Sequence, residues 1–292
     1  MRIVSFLPSA TEIICDLGLE KELLGVTFEC SWPLGVKVGR EIVVNTFVDP
    51  SRTPGEISAF VSERFRQGLS LYKIEDVALQ KCDPDLILSQ DICAVCAVPV
   101  GDIDAAVARL NCHADILQID PHTLEDVIAS IGTIALAAGV QERGEALIFE
   151  LRSRLSEVRK KIENLPAPSV FVLEWVEPAF NSGHWIPDII SSAGGIPVLS
   201  NSGSDSAVVT WDAIAKAAPD VILVAPCGYG LDGSVQQAKS ILDKLPNCQV
   251  WAIDADAVIV RPGPRLIDGV EAIAAALHGV GAVPPEIMCR VR

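Results

Sequence analysis

The chain lacks most of what marks an enzyme, a nucleic-acid binder or a membrane protein. It contains no Gly-x-Gly-x-x-Gly, no Gly-x-x-x-x-Gly-Lys-Ser/Thr and no Gly-x-Ser-x-Gly. Without a phosphate-cradling loop or a nucleophile elbow, the weight moves from catalysis to binding. Basic residues are scarce, 23 Lys and Arg against 38 Asp and Glu, for a net charge of −15. That balance excludes nucleic acid and anionic membrane as main partners. No apolar run reaches the roughly 20 residues that cross a bilayer, so no membrane insertion is expected. A charged leader with an apolar stretch and a cleavage site is also missing, because residues 2–8 (Arg-Ile-Val-Ser-Phe-Leu-Pro) read directly as a first strand. The nine cysteines are odd in number and without knot-like spacing, which favours a reducing compartment over a disulfide framework. As written this is a cytoplasmic chain, and a periplasmic one if a leader has been trimmed.

Half of the 292 residues are hydrophobic and only 21% are charged. Disorder is thereby excluded, and the length suffices for two domains, each with its own core. Residues 81–88 (Lys-Cys-Asp-Pro-Asp-Leu-Ile-Leu) are echoed by residues 216–223 (Lys-Ala-Ala-Pro-Asp-Val-Ile-Leu). In each copy a helical pattern meets a Pro that cannot continue it, and a buried parallel strand follows. The first half reads as strands at 2–7, 23–27, 85–89 and 116–119, with 39–55 as a loop before a helix near 55–67. Ser9 and Glu12 have the spacing of a capping box at the first helix. The second half repeats the plan with strands at 169–175, 221–224 and 250–253 and helices at 184–193, 212–217 and 266–277. Between them, Thr123 caps a helix reaching 138. Leu147, Leu151, Leu155, Val158 and Ile162 then line one face of a helix over 141–164, roughly 36 Å long. The expected architecture is two three-layer α/β lobes with mainly parallel sheets joined by a long backbone helix. Residues 1–122 form the first lobe, 123–166 the connecting helices and 167–292 the second. One stiff helix between lobes predicts little movement on binding, and the chain is expected to be a monomer.

In parallel sheets, ligands meet the loops at the carboxyl ends of strands. The first lobe offers Glu29, Cys30, Trp32, Asp91, Cys93 and Cys96 in such loops. The second offers Glu174, Trp175, Glu177, Phe180, His184, Trp185, Cys227, Tyr229 and Arg261. The Cys93-Ala-Val-Cys96 spacing has three readings. It is a pocket wall of small apolar residues, a redox pair, or half of a zinc site completed by Cys30 and His184. Trp32, Trp175 and Trp185 supply flat apolar walls, and Arg261 supplies a fork for a carboxylate or phosphate.

Several of these segments together resemble one known family. They are residues 2–13, the Trp32-Pro33 loop, the two Pro-Asp segments, residues 174–184 and residues 261–265 (Arg-Pro-Gly-Pro-Arg). In this order they resemble the cobalamin/iron-siderophore class of ABC-transporter substrate-binding proteins, the helical-backbone metal receptors. The resemblance covers essentially the whole chain. It implies a non-catalytic protein that holds cobalamin or a related metal chelate in a cleft between two lobes. It also implies Trp32, Phe47 and Trp175 as aromatic ligand contacts and Arg261 as the cleft arginine. Docking onto a transporter membrane subunit is implied through Glu75 or Asp76 in one lobe and Asp212 in the other. A cytoplasmic metalloprotein or metalloenzyme with a Cys/His zinc site stands as the alternative.

Overall fold

A computed structural model of the chain describes residues 1–90, 98, 100–110 and 112–292. They divide into two compact units, Met1–Pro121 with Ile128–Ile148, and His122–Val127 with Phe149–Arg292. The first contains β1 (Ile3–Ser5), α1 (Pro8–Asp16), β2 (Leu23–Thr27), β3 (Glu41–Thr46), α2 (Pro54–Arg66), β4 (Tyr72–Ile74), α3 (Asp76–Cys82), β5 (Leu86–Gln90), α4 (Val100–Arg109) and β6 (Asp115–Ile119). Next come α5 (Leu124–Ala137) and α6 (Gln141–Ile162), each shared by the two units. The second unit adds β7 (Ser169–Leu173), β8 (Trp175–Val176), β9 (Ala179–Phe180), α7 (Ile186–Ser192), β10 (Ile196–Pro197), α8 (Trp211–Ala217), β11 (Val221–Val224), α9 (Leu231–Ser240), β12 (Gln249–Ile253), α10 (Ala255–Val258), α11 (Leu266–His278) and β13 (Met288–Arg290).

The sheets are ordered β4-β3-β2-β1-β5-β6 and β10-β7-β11-β12-β13. Every neighbouring pair is parallel except β3–β4 and β12–β13 at the edges. The α/β class with parallel-rich sheets is therefore as expected from the sequence. Strands such as β5 and β11 are buried along their whole length, as strands covered on both faces must be. In unit 1, Val4, Val43, Val44 and Ile87 pack with Leu79 and Cys82 of α3 and Ile103 and Ala106 of α4. In unit 2, Phe171, Ile222 and Val250 pack with Ile214 of α8, Ala238 of α9 and Ile241 just after it.

The echoed Pro-Asp segments have the same geometry in both units. α3 ends at Asp83 with φ 43°, and α8 ends at Ala218 with φ 44°, both left-handed stops. Two residues further on, an aspartate reaches the first N–H of the adjacent strand. The Asp85 carboxylate accepts from the Arg2 N–H at 2.7 Å, and that of Asp220 accepts from the Ser169 N–H at 2.8 Å. Each aspartate also donates its own N–H to the carbonyl of the same partner, at 2.8 Å and 3.0 Å. The start of β1 is thus registered on β5, and the start of β7 on β11.

Two local expectations change. β3 lies in the stretch read as loop, because the Ile42, Val43 and Val44 run has the β-branched stiffness of a strand and is covered by the core. The Ser9–Glu12 capping box does not form. Pro8 opens α1, its fixed φ and missing N–H suiting the first helical position. Ser9 is then inside the helix, Leu7 is the cap residue without a side-chain bond, and Glu12 is buried at 1% exposure. The expected pair at Thr123 and Asp126 does form, each side chain accepting from the other's N–H.

Removing the Asp220 carboxylate tests the registering bond. Asp220→Ala should lower the melting temperature by about 2–4 °C, the scale for roughly 1 kcal/mol in a chain of this length. The two Ser169 bonds hold this carboxyl below the usual range. Its contribution is therefore full above the ordinary aspartate pKa of about 4 and lost as pH falls through the lowered value. An unchanged melting temperature in the variant would leave the backbone bonds alone as the register device.

Candidate functional site

β7, β11 and β12 run parallel with Leu173 beside Val224 and Val224 beside Ala252, so the three following loops leave one edge of the sheet together. Glu174 and Trp175 follow β7, residues 225–230 follow β11, and residues 254–261 follow β12. The loops are bonded to one another. The Cys227 N–H donates to the Glu174 carbonyl at 3.1 Å. At Gly228, φ is 83°, a turn that favours glycine, and its N–H donates to the Asp256 carboxylate at 3.0 Å. Arg261 lies 3.3 Å from the same carboxylate with its side chain only 11% exposed. The Trp175 ring stands 5.9 Å from that of Tyr229 at 53°, and its Nε1–H is held by the Glu177 carbonyl at 3.0 Å. Burial raises the Tyr229 phenol and the Asp256 carboxyl, Asp256 being partly compensated by Arg261.

Glu174 carries the largest consequence. Desolvation pushes its carboxyl up to about 8, against a bond from Ser206 that pulls it down. The residue as a whole keeps some surface, but the carboxyl lies among protein atoms. At neutral pH it is a carboxylic acid, able to donate as well as accept.

His184 sits beside this edge in a strained turn. Its φ is 50°, its N–H donates to the Ser204 carbonyl at 2.7 Å, and its carbonyl accepts from Gly203 at 3.0 Å. A Cβ at Gly183 would stand 2.4 Å from the Ser206 nitrogen, so only glycine admits this close approach. The ring lies 3.3 Å from the Asp205 carboxylate, 5.9 Å from His122 and 5.6 Å from Trp185. Trp185 itself points inward, 6% exposed, with its indole N–H on the Ile259 carbonyl at 2.8 Å. It supports the turn and offers no wall.

In unit 1 the parallel pairing of β2 and β3 brings the loops bearing Trp32 and Phe47 to one edge. Both rings are accessible, at 38% and 47% exposure. Cys30 is fully buried, its sulfur 3.2 Å from the Thr11 hydroxyl and 3.4 Å from that of Thr27. Cys93 and Cys96, like Asp91, lie outside the described residues. Among the described residues no cluster of three or more His, Cys, Asp or Glu can hold a metal ion. The zinc expectation gains no support: Cys30 is engaged by two threonine hydroxyls, and Cys93 and Cys96 are not among the described residues. Burial pushes the core thiols of Cys15 and Cys82 up to about 12 and about 11, as small core residues.

The acidic trio divides. Glu75 accepts from Asn45 at 3.0 Å and Lys73 at 2.9 Å, which hold it below the usual range. Asp76 is forked by Arg109 at 2.6 Å and 2.9 Å. Asp212, in the first turn of α8, is exposed and has no ion-pair partner among the described residues. His122, Asp205, Ser206 and Asp256 were absent from the sequence candidates, since they join the edge through contacts between loops far apart in the chain.

The periplasmic binding protein family model matches residues 3–252, and the chain belongs to that family. An uncharacterised ABC transporter substrate-binding lipoprotein of Bacillus subtilis is 24% identical over 285 residues, 95% of this chain and 80% of the relative. The vitamin B12-binding protein of Vibrio cholerae is 23% identical over 279 residues, 94% and 88% of the two chains. The crystal structure of a periplasmic haem-binding protein from Pseudomonas aeruginosa superposes with a TM-score of 0.74 at 16% identity. It covers 99% of this chain and 97% of its own. Family members are solute-binding proteins, so the metalloenzyme alternative falls, and the periplasmic alternative is favoured over the cytoplasmic reading.

The raised Glu174 carboxyl sets a pH dependence. Between about pH 4.5 and 8 the folded state holds a proton that the unfolded state has lost, so stability falls as pH rises through that window. A Glu174→Gln variant should lose part of this decline in melting temperature. Parallel curves for variant and parent would place the carboxyl in water.

Proposed function

We propose that this member of the periplasmic binding protein family is the substrate-binding component of an ABC-type importer, carrying a flat metal-containing macrocycle of the cobalamin or haem kind. The observation that carries the reading is the set of rings held at the carboxyl edges of the sheets. Trp32 and Phe47 belong to one unit, Trp175 with Tyr229 to the other. Macrocycle faces are broad and apolar, and such rings cover them at little entropic cost. The protonated Glu174 suits the amide or carboxyl oxygens of the ligand rim, and Arg261 gives a fixed positive charge beside it. The names of the relatives support the same ligand class. The metal would enter within its chelate and would not be bound bare by the protein.

The same reading assigns delivery. Asp212 is available for a basic residue of a transporter membrane subunit, whereas Glu75 and Asp76 would have to exchange Lys73 and Arg109 for the transporter's own bases. Such charges steer encounter more than they add affinity. The protein would act as a monomer on the extracytoplasmic side, in keeping with the lipoprotein relative.

Absorbance titration with cyanocobalamin and with haem tests the ligand class. Stoichiometric binding of at least one is expected, and failure to bind either overturns the reading. Trp175→Ala should weaken that ligand by about 1–3 kcal/mol, the scale of a buried aromatic anchor. Asp212→Ala should leave ligand affinity intact and lower uptake in cells. Uptake equal to the parent's would remove Asp212 from the docking face.

A further inference from the structure

The chain has 38 acidic and 23 basic side chains, and its arginines are held in different ways. Arg2, Arg66, Arg109, Arg152, Arg154, Arg261 and Arg265 each stand beside Asp or Glu. Like Arg40, Arg143, Arg159, Arg290 and Arg292, Arg52 and Arg64 have no acidic partner within ion-pair distance among the described residues. They stack on rings instead. The Arg52 guanidinium lies 4.8 Å from the Phe60 centroid, while Arg64 lies 5.7 Å from Phe60 on one side and 4.4 Å from Phe47 on the other. Cation and ring alternate along four side chains, ending at Phe47 beside the edge that carries the ligand-facing rings.

The stack fixes the Arg64 plane. Its Nε donates to the Ser70 carbonyl at 2.8 Å and Nη2 donates to the same oxygen, which leaves Nη1 without an acceptor among the described residues. The carboxylates nearest Arg52 are already committed. Asp49 accepts from the Ser51 N–H at 2.9 Å and hydroxyl at 2.7 Å, and Glu56 closes a capping box with Thr53 at the start of α2. Glu63 is taken by Arg66 and Gln67. Asp49 and Glu56 still feel the Arg52 charge, but neither guanidinium is closed by a direct ion pair, and two guanidiniums on ring faces form a receptor for an anionic oxygen on a flat body.

We propose that Arg52 and Arg64, carried on the Phe60 and Phe47 rings, are a subsite for a carboxylate or phosphate on the rim of the transported ligand. The inference rests on the macrocycle reading above and adds a recognised charge to it. Two sources supply that chemistry, the propionates of a porphyrin and the nucleotide phosphate of a cobalamin. They are separated by pairing each ligand with an analogue lacking the anion: haem against its dimethyl ester, and cyanocobalamin against dicyanocobinamide.

Equilibrium titrations of the parent and an Arg52→Gln/Arg64→Gln variant provide the test. For whichever ligand the parent binds, the variant should lose about tenfold in affinity, the scale of one or two charge-assisted hydrogen bonds. Affinity for the matched anion-free analogue should be unchanged. Equal losses for both members of a pair would make the stack a packing element, and no loss for either would place it outside the site. Each result overturns the inference while leaving the macrocycle reading intact. Parent protein that binds none of the four compounds removes both. A measurement on the parent alone guards against a variant that fails to fold. Raising salt from about 0.05 to 0.5 M should weaken the anionic ligand several-fold and leave its neutral analogue unmoved. The same salt response for both would equally overturn it.

Discussion

The arrangement depends on one bond made twice, the Pro-Asp carboxylate on the first N–H of the neighbouring central strand. A strand advances about 3.3 Å per residue, so a slip of one position displaces its terminal loop by that much and turns its side chains over. Asp85 on Arg2 and Asp220 on Ser169 set the amino ends of the central pairs, and the parallel ladders carry that register to the carboxyl ends. There Glu174 and Cys227 meet through backbone, and Asp256 gathers Gly228 and Arg261. A loop site needs this order, because loops have little packing of their own to define where they begin.

Within each unit, charge is handled by local commitment. Several acids serve caps, strand starts or arginines, among them Glu56, Asp126, Asp85, Asp220, Asp76 and Asp256. Asp212 at one helix terminus and the two ring-stacked arginines of the other unit are among the charges without an ion-pair partner in the described residues. Glu174 is the opposite case. Its desolvation favours the neutral acid, which places a polar group among protein atoms without adding to the negative total.

Much of the frame was legible in the sequence. The 81–88 and 216–223 echo marks two equivalent helix-stop-strand units, and the apolar runs after each Pro-Asp mark strands buried on both faces. The α6 helix follows from its leucine spacing. The left-handed stops, the carboxylate bridges and β3 were harder to read, for different reasons. A bridge from residue 85 to residue 2 has no local signature. The Ile42–Val44 run is short and lies close to Pro50 and Pro54, which weigh toward loop. Trp32 and Trp175 could be assigned to loops after strands, whereas Phe47 comes only from the family resemblance because the sequence reads β3 as loop, and strand order says nothing of which way the helix-start indole of Trp185 turns. Cys30 misled in the same manner. It follows a strand as a ligand would, yet its sulfur is satisfied by two threonine hydroxyls.

The two kinds of information have different physical roots, and this explains how the frame persists among relatives at 16–24% identity. The frame rests on apolar periodicity, tolerant of any residue of similar volume, and on a few carboxylate-to-N–H bonds. The proposed ligand choice would rest on single side chains whose protonation depends on neighbours distant in sequence, such as Ser206 on Glu174. A substitution in a loop can therefore change what is held without disturbing where it is held. In this chain the sheets set where the loops meet, and the ligand proposed for those loops is the part that single substitutions would change first.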